Sequence, residues 1–387
     1  MVARSNLELS TSRSDTRISR SAYELLYYLI SQTLEMLCIS DSVKTRHSFV
    51  ALGSAVIAIL LIQSQIAMGQ QESDDNSSVG SWTHIVKYNS NGDFLGRWGT
   101  DGTGDGELVH PHGIAIDSTD NVYVVDEERQ DVQKFDSNGT FISKLGSEGS
   151  GTGQFSNRLE DVAIDGSDNL FVVDRGNELI VKFDSNGTFL SSIGSRGTED
   201  GQFKLPWGVA FDSSDRIYVT DRGNHRIQIF SPEGQFIAKF GGSEEQFPHL
   251  HGIAVDSSNN IYVTDERPLH VVQKLDHNGK LIQQWGGKGD APGQFEYLHG
   301  IAIDSKGDIY VVDTQNTRIQ KFSADGQFIK AWGSLGITDG QLMFPQDIAI
   351  DSKDNIYVTD HLFRHPTTGY VEDFMRDNNM DVEIPDE

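Results

Sequence analysis

His112-Gly-Ile-Ala-Ile-Asp117, a turn, and Asn121-Val-Tyr-Val-Val-Asp126 form a pair of short apolar runs that the chain writes six times. The copies centre on Ala115, Ala163, Ala210, Ala254, Ala302 and Ala349. A second pair follows each copy except the last. Its pattern is Val132-Gln-Lys-Phe135, a turn at Asn138-Gly139, then Phe141-Ile-Ser-Lys-Leu145, and it returns around Phe183, Phe230, Leu275 and Phe322. The sixth copy of this outer pair comes first, at Ile85-Val-Lys-Tyr88 and Phe94 to Trp98, while the last inner pair, Gln346 to Asp360, has no clear outer pair after it. A linear stack has no use for that offset. A closed ring does, because an N-terminal hairpin over 82–99 can complete the sheet that the last repeat leaves unfinished and so cover an exposed edge.

Equivalent positions 113, 161, 208, 252, 300 and 347 are spaced by 48, 47, 44, 48 and 47 residues, a period that fits one four-stranded unit per repeat. The runs are rich in Val, Ile and Tyr, bounded by Gly, Asn, Asp and Ser, and read as strands. The sequence therefore predicts an all-β fold, a six-bladed β-propeller of four-stranded antiparallel blades over residues 82–360. Ala in the middle of every first strand suits six strands crowding one axis. Tyr123, Phe171, Tyr218, Tyr262, Tyr310 and Tyr357 on the second strands suit the widening wedge between blades. Asn-Gly and its variants supply the positive φ of the outer hairpins.

The stretch Ile217-Tyr-Val-Thr-Asp-Arg-Gly-Asn-His-Arg-Ile-Gln-Ile-Phe230 resembles the NHL-repeat family, as do Thr314-Gln-Asn-Thr-Arg-Ile-Gln-Lys-Phe322 and linkers such as Gly151-Thr-Gly-Gln-Phe155 and Gly293-Gln-Phe295. The resemblance spans roughly residues 82–360 and implies the propeller fold. It does not choose a function, because the family includes RNA-binding domains, ubiquitin-ligase adaptors, signalling ectodomains and an amidating lyase.

Composition narrows that range. Residues 70–387 carry 25 Lys or Arg against 52 Asp or Glu. Twelve of those carboxylates are the two Asp positions present in every blade, such as Asp212 and Asp221, and read as groups that satisfy backbone N–H in turns. Without them the balance is still −15. Nucleic acid and anionic membrane surfaces are then poor partners, since phosphate contacts need a basic face.

Residues 1–48 read as an N-terminal extension. Residues 49–69 read as a signal peptide cleaved before Gln70 or as a membrane anchor, with Lys44 and Arg46 before the apolar run and Ala67-Met-Gly69 at its end. Either reading puts the propeller outside the cytoplasm, secreted or membrane-anchored. Membrane contact is then expected only through that segment, if it is uncleaved. Residues 70–81 read as a polar linker and 361–387 as an acidic tail. The one cysteine, Cys38, precedes the cleavage position, so neither a Cys nucleophile nor a CxxC metal site is expected. Asn76, Asn138 and Asn186 begin N-glycosylation sequons.

In a propeller the linkers joining strand 4 to strand 1 of the next blade share one face with the 2–3 loops. Those 2–3 loops differ between blades, from Glu127-Glu-Arg-Gln-Asp131 to Thr314-Gln-Asn-Thr-Arg318, whereas the 1–2 turns are monotonous. Binding residues favour loops on a rigid scaffold, so the variable face is the candidate functional face. The residue opening each first strand reads His112, Glu160, Trp207, His251, His299 and Gln346 around the ring. These six side chains are expected to converge at a channel mouth, with Arg175 and Arg222 as nearby cations suited to an anionic group. His251 and His299, on neighbouring blades, are the pair placed to share a metal or to clamp one polar group, and zinc or calcium is the cofactor the mouth as a whole could take.

The family resemblance offers a comparison. The amidating lyase holds zinc with three His before similar strands on alternating blades. Alternating blades here give His112, Trp207 and His299, or Glu160, His251 and Gln346, so neither set repeats the pattern. Lactonase-type propellers use several channel carboxylates with calcium, against Glu160, Asp161 and Asp347 here. Two readings result. One is a non-catalytic binding module for a protein, peptide or glycan, extracytoplasmic and acting through the variable face. The other is a metal-dependent lyase or hydrolase at the channel mouth.

Overall fold

Six four-stranded antiparallel sheets surround a common axis, and one is assembled from both ends of the repeat region. In that sheet His84–Tyr88 pairs with Ile356–Asp360, His84 opposite Asp360 and Tyr88 opposite Ile356. The strand Phe94–Trp98 lies outside it and Pro345–Ile350 inside it. The N-terminal hairpin therefore closes the ring, as the offset of the repeats requires. This computed structural model describes residues 83–361 apart from 150 and 337. The segments 1–82 and 362–387, with Asn76 and the apolar run at 49–69, lie outside the described residues. Asn138 and Asn186 are exposed in their hairpin turns. The described residues contain no α-helix, only a short 3-10 turn at Arg222–Asn224.

The first strands of neighbouring blades run side by side, and Pro345–Ile350 closes the circle against Pro111–Ile116. Room at the axis is scarce. A Cβ added at Gly113 would lie 2.5 Å from Asp161 Cα, and one at Gly252 would lie 2.7 Å from the His299 carbonyl oxygen. The small Ala and Gly side chains are what allow six backbones to meet. Side chains then tie blade to blade. Thr220 Oγ1 donates to the His251 carbonyl at 2.9 Å, Thr264 Oγ1 to that of His299 at 2.8 Å, and Thr359 Oγ1 to that of His112 at 2.7 Å.

Further from the axis, six apolar clusters fill the wedges. Tyr123, Phe155, Leu159 and Val172 meet between the first two blades, and Ile85, Leu108, Val122 and Tyr357 meet at the closure. The tyrosine rings fill the wedge as expected, and their hydroxyls add a polar contact. Tyr123 donates to Asp117 at 3.2 Å and Tyr357 to Asp351 at 3.1 Å. Asp117 also accepts from Thr119 N and Asn121 N, so this carboxylate holds the 1–2 turn. The second invariant Asp holds the linker instead. Asp126 accepts from Val109 N and His110 N, and Asp360 accepts from Phe344 N. Both Asp positions are thus structural, as the sequence suggested.

Outer hairpins lock onto the preceding blade. Gly139, at φ 87°, packs on Trp98, where an added Cβ would come within 2.3 Å of the indole. Gly139→Ala is expected to destabilise the fold by roughly 1–3 kcal/mol, from overpacking and a disfavoured φ together; equilibrium urea unfolding measures it. Deletion of residues 82–99 is expected to abolish cooperative thermal unfolding, because it uncovers the Ile356–Asp360 edge. Deletion of 366–387 should shift the melting temperature by only a few degrees, and the opposite pattern would overturn the closure.

Candidate functional site at the channel mouth

In every blade the register between first and second strands slips just after the first strand begins, as between Pro111 and Ile114 or Leu250 and Ile253. The two bulged residues are released from the ladder, and such bulges re-aim side chains. At each bulge the opening residue turns toward the axis. His112, Glu160, Trp207, His251, His299 and Gln346 are all buried there. Rings from four blades meet: His112 is 6.0 Å from Trp207 and 6.1 Å from His299, centroid to centroid. His251 is 4.3 Å from Trp207 and 4.6 Å from His299. The channel is narrow enough for His112 to cross it.

The remaining predicted residues join the same cluster. His112 Nδ1–H donates to the Glu160 carbonyl at 3.0 Å, and Arg175 Nη1 meets Glu160 Oε1 at 2.8 Å. The guanidinium carbons of Arg175 and Arg222 lie 4.7 and 4.4 Å from the Trp207 ring centre. Gln346 lies within side-chain hydrogen-bonding reach of His299. Arg175 takes its partner from Glu160, while Glu178 pairs with Arg196. All eight residues singled out in the sequence therefore form one continuous network.

A second tier lies nearer the solvent, and sequence reasoning did not assign it. On the first and fourth blades it comes from the linker residue just before the first strand and from the residue after the second-strand Asp. The Glu127 N to His110 carbonyl bond and the Glu266 N to His249 carbonyl bond, both 3.0 Å, hold these two positions together. On the first blade His110 Nδ1 is 2.9 Å from Glu127 Oε2, and the His110 ring is 4.3 Å from that of His361. On the fourth blade His249 Nδ1 and His251 Nε2 lie 2.9 and 3.0 Å from the same oxygen, Glu266 Oε2. Arg267 Nε sits 2.8 Å from Glu266 Oε1, and its guanidinium covers Tyr297. His251 faces His299 ring to ring, yet its polar partner is Glu266. A sequence signal for this tier existed: His-x-His occurs at 110–112 and 249–251, each with Asp-Glu following, at 126–127 and 265–266.

Burial governs the protonation of these groups. It pushes His251 well below the usual imidazole range, with Arg222 adding to the effect. Burial would raise Glu266, but hydrogen bonds from His249 and His251 outweigh it and hold the carboxyl well below its ordinary range. The first strands also line a cavity of about 270 Å³, walled mainly by Ile, Val and Ala side chains and including Asp161 and Asp347, the residues next to Glu160 and Gln346. Burial, with Asp347 beside it, raises Asp161 well above the carboxylate range, and burial raises Asp347 to about 6. Each also anchors a neighbouring blade, Asp161 accepting from Val209 N at 2.9 Å and Asp347 from Ile114 N at 3.0 Å.

The NHL repeat family matches residues 203–230, and a family described as a 6-bladed beta-propeller matches residues 118–195 and 259–332. No curated protein matches the chain. Among solved structures the chain is similar to a streptogramin B lyase, at 13% identity and TM-score 0.50 over 73% of this chain and 99% of that one. A Bacteroides thetaiotaomicron protein of unknown function gives 16% identity and TM-score 0.53 over 72% and 76%. A Xanthomonas campestris gluconolactonase gives 14% and 0.48 over 66% and 86%. At such identities the likeness shows the fold alone. The chain is a six-bladed propeller with NHL-type repeats, and the resemblance read from the sequence holds.

Burial, then the neighbouring His112, lowers His299 to about 3. In the unfolded chain it titrates near 6.5. Between those values the unfolded chain binds a proton that the folded one does not. The contribution of His299 is therefore full above about pH 6.5 and is lost as pH falls toward 3, at up to about 1.4 kcal/mol per pH unit. His299→Gln is expected to flatten the loss of stability between pH 6.5 and 4, followed as urea midpoints at several pH values. Parallel profiles for variant and parent would contradict the assignment.

Proposed function

We propose that this propeller is an extracytoplasmic binding module that takes the anionic group of a protein, peptide or glycan ligand at the mouth on its 4–1 and 2–3 loop face. One observation carries the reading. Three guanidiniums, of Arg175, Arg222 and Arg267, gather over Trp207 and Tyr297 at one end of the channel. They do so in a chain whose net charge is −26. Cations concentrated at one mouth of an acidic protein focus an anionic group toward that mouth. Arginine binds carboxylates through paired, charge-assisted hydrogen bonds. The rings of Trp207, His251 and His299 form a floor that is already packed, so the ligand rests on the rim rather than entering the channel. Placement outside the cytoplasm rests on the apolar segment 49–69 and the basic residues before it.

A metal-dependent lyase or hydrolase at the same mouth is the second reading. It is favoured by the two imidazoles and one carboxylate that His249, His251 and Glu266 bring together.

An Arg222→Gln/Arg267→Gln variant is expected to bind acidic peptides, small dicarboxylates or uronate oligosaccharides roughly ten- to a hundredfold more weakly than the parent, the range for charge-assisted hydrogen bonds. Calorimetry across such a panel measures this. A folded variant that binds every ligand of the parent equally well would remove this mouth as the site.

A further inference from the structure

The geometry points to a divalent transition-metal site, suited to zinc, formed by His249, His251 and Glu266 on the fourth blade. His249 and His251 stand two residues apart where the linker becomes the first strand, and Glu266 follows the second strand of the same blade. One donor atom from each falls within 4.8 Å of the other two. His249 Nδ1 and His251 Nε2 approach Glu266 Oε2 to 2.9 and 3.0 Å. Nitrogen and oxygen ligands held 2.0–2.1 Å from a tetrahedral zinc lie about 3.3 Å apart, so the two nitrogen–oxygen separations need to open by only a few tenths of an ångström, while the two imidazole nitrogens, within 4.8 Å of each other, close in on the ion. Two imidazoles and a carboxylate suit zinc, whereas calcium and magnesium prefer all-oxygen shells. Three protein ligands leave the fourth position open, toward the rim, since His249 is the partly exposed member of the set. His251 is fully buried, with its Nε2 directed at the Glu266 carboxylate, so packing holds that donor in place.

This assignment differs from the His251–His299 pair expected from the sequence. The two rings face each other at 4.6 Å, but His251 directs its Nε2 to Glu266. It also carries a built-in competitor. Arg222 Nη2 donates to the His249 ring, 2.5 Å from Nε2 and 3.1 Å from Nδ1. A metal on Nδ1 leaves the imidazole proton on Nε2, which then no longer accepts from Arg222, so metal entry displaces the guanidinium. A metal there would supply a further positive centre for the anionic ligand, but its binding does not depend on that ligand.

The test is zinc binding by the untagged full chain after chelator dialysis, with no other ligand added. Elemental analysis gives stoichiometry, a competing chromophoric chelator gives affinity, and cobalt substitution gives the visible absorption of a tetrahedral site. The parent is expected to take up one zinc. His249→Ala and Glu266→Gln should each lose at least tenfold in affinity, and His277→Ala, on an exposed hairpin, should match the parent. Arg222→Gln should bind zinc as tightly or more tightly while losing affinity for anionic ligands, which separates this site from the anion-binding reading. His249 is partly exposed, so His249→Ala is the variant to trust if Glu266→Gln fails to fold. A parent without stoichiometric zinc would overturn the assignment. So would retention of zinc by folded His249→Ala together with its loss in His299→Ala.

Discussion

Crowding at the axis is the constraint on which the rest of the molecule depends. Six first strands meet so closely that a β-carbon at Gly113 would lie 2.5 Å from a neighbouring backbone atom. Small residues are therefore forced into the strand centres. Large side chains are confined to the ends of the channel or to the wedges between blades. At one end the bulge that opens each first strand turns six unlike side chains inward, and they pack into a plug. Where Gly is replaced, by Asp161 and Asp347, the carboxylates reach across to hold the next blade's backbone. Closure by the N-terminal hairpin makes this crowding uniform around the ring, because an open ring would let the strands splay.

The electrostatics of the mouth follow from the same packing. The chain is strongly acidic, yet cations gather where the loops of the second, third and fourth blades face one another. Glu160 and Glu266 each neutralise a guanidinium and accept from an imidazole or lie beside one. Buried charges survive only when paired and hydrogen-bonded. The mouth obeys that rule through a connected network rather than through isolated salt bridges. Removing one partner therefore disturbs several groups.

The repeat pattern, the number of blades, the closure and the six mouth residues were legible in the sequence. Each rests on local rules: alternation of apolar and polar residues, turn chemistry at Asn-Gly, and a fixed period that places equivalent residues at equivalent depths. The structural role of both invariant Asp positions was legible for the same reason. The fourth-blade set was only half visible. His251 belonged to a repeat position, but His249 lay in a linker and Glu266 in a variable loop. No periodicity says that the two imidazoles point at one oxygen of Glu266.

What the sequence alone determined is the architecture and which side chains reach the axis, because a repeated local pattern fixes both without knowledge of distances. Only the tertiary structure decided the partners. Arg175 pairs with Glu160, Arg222 with His249, and His251 with Glu266 rather than with His299. Pairing depends on angles and separations of a few ångströms between residues of different strands and blades, set by the strand bulges and the width of the ring. No single stretch of chain encodes those quantities.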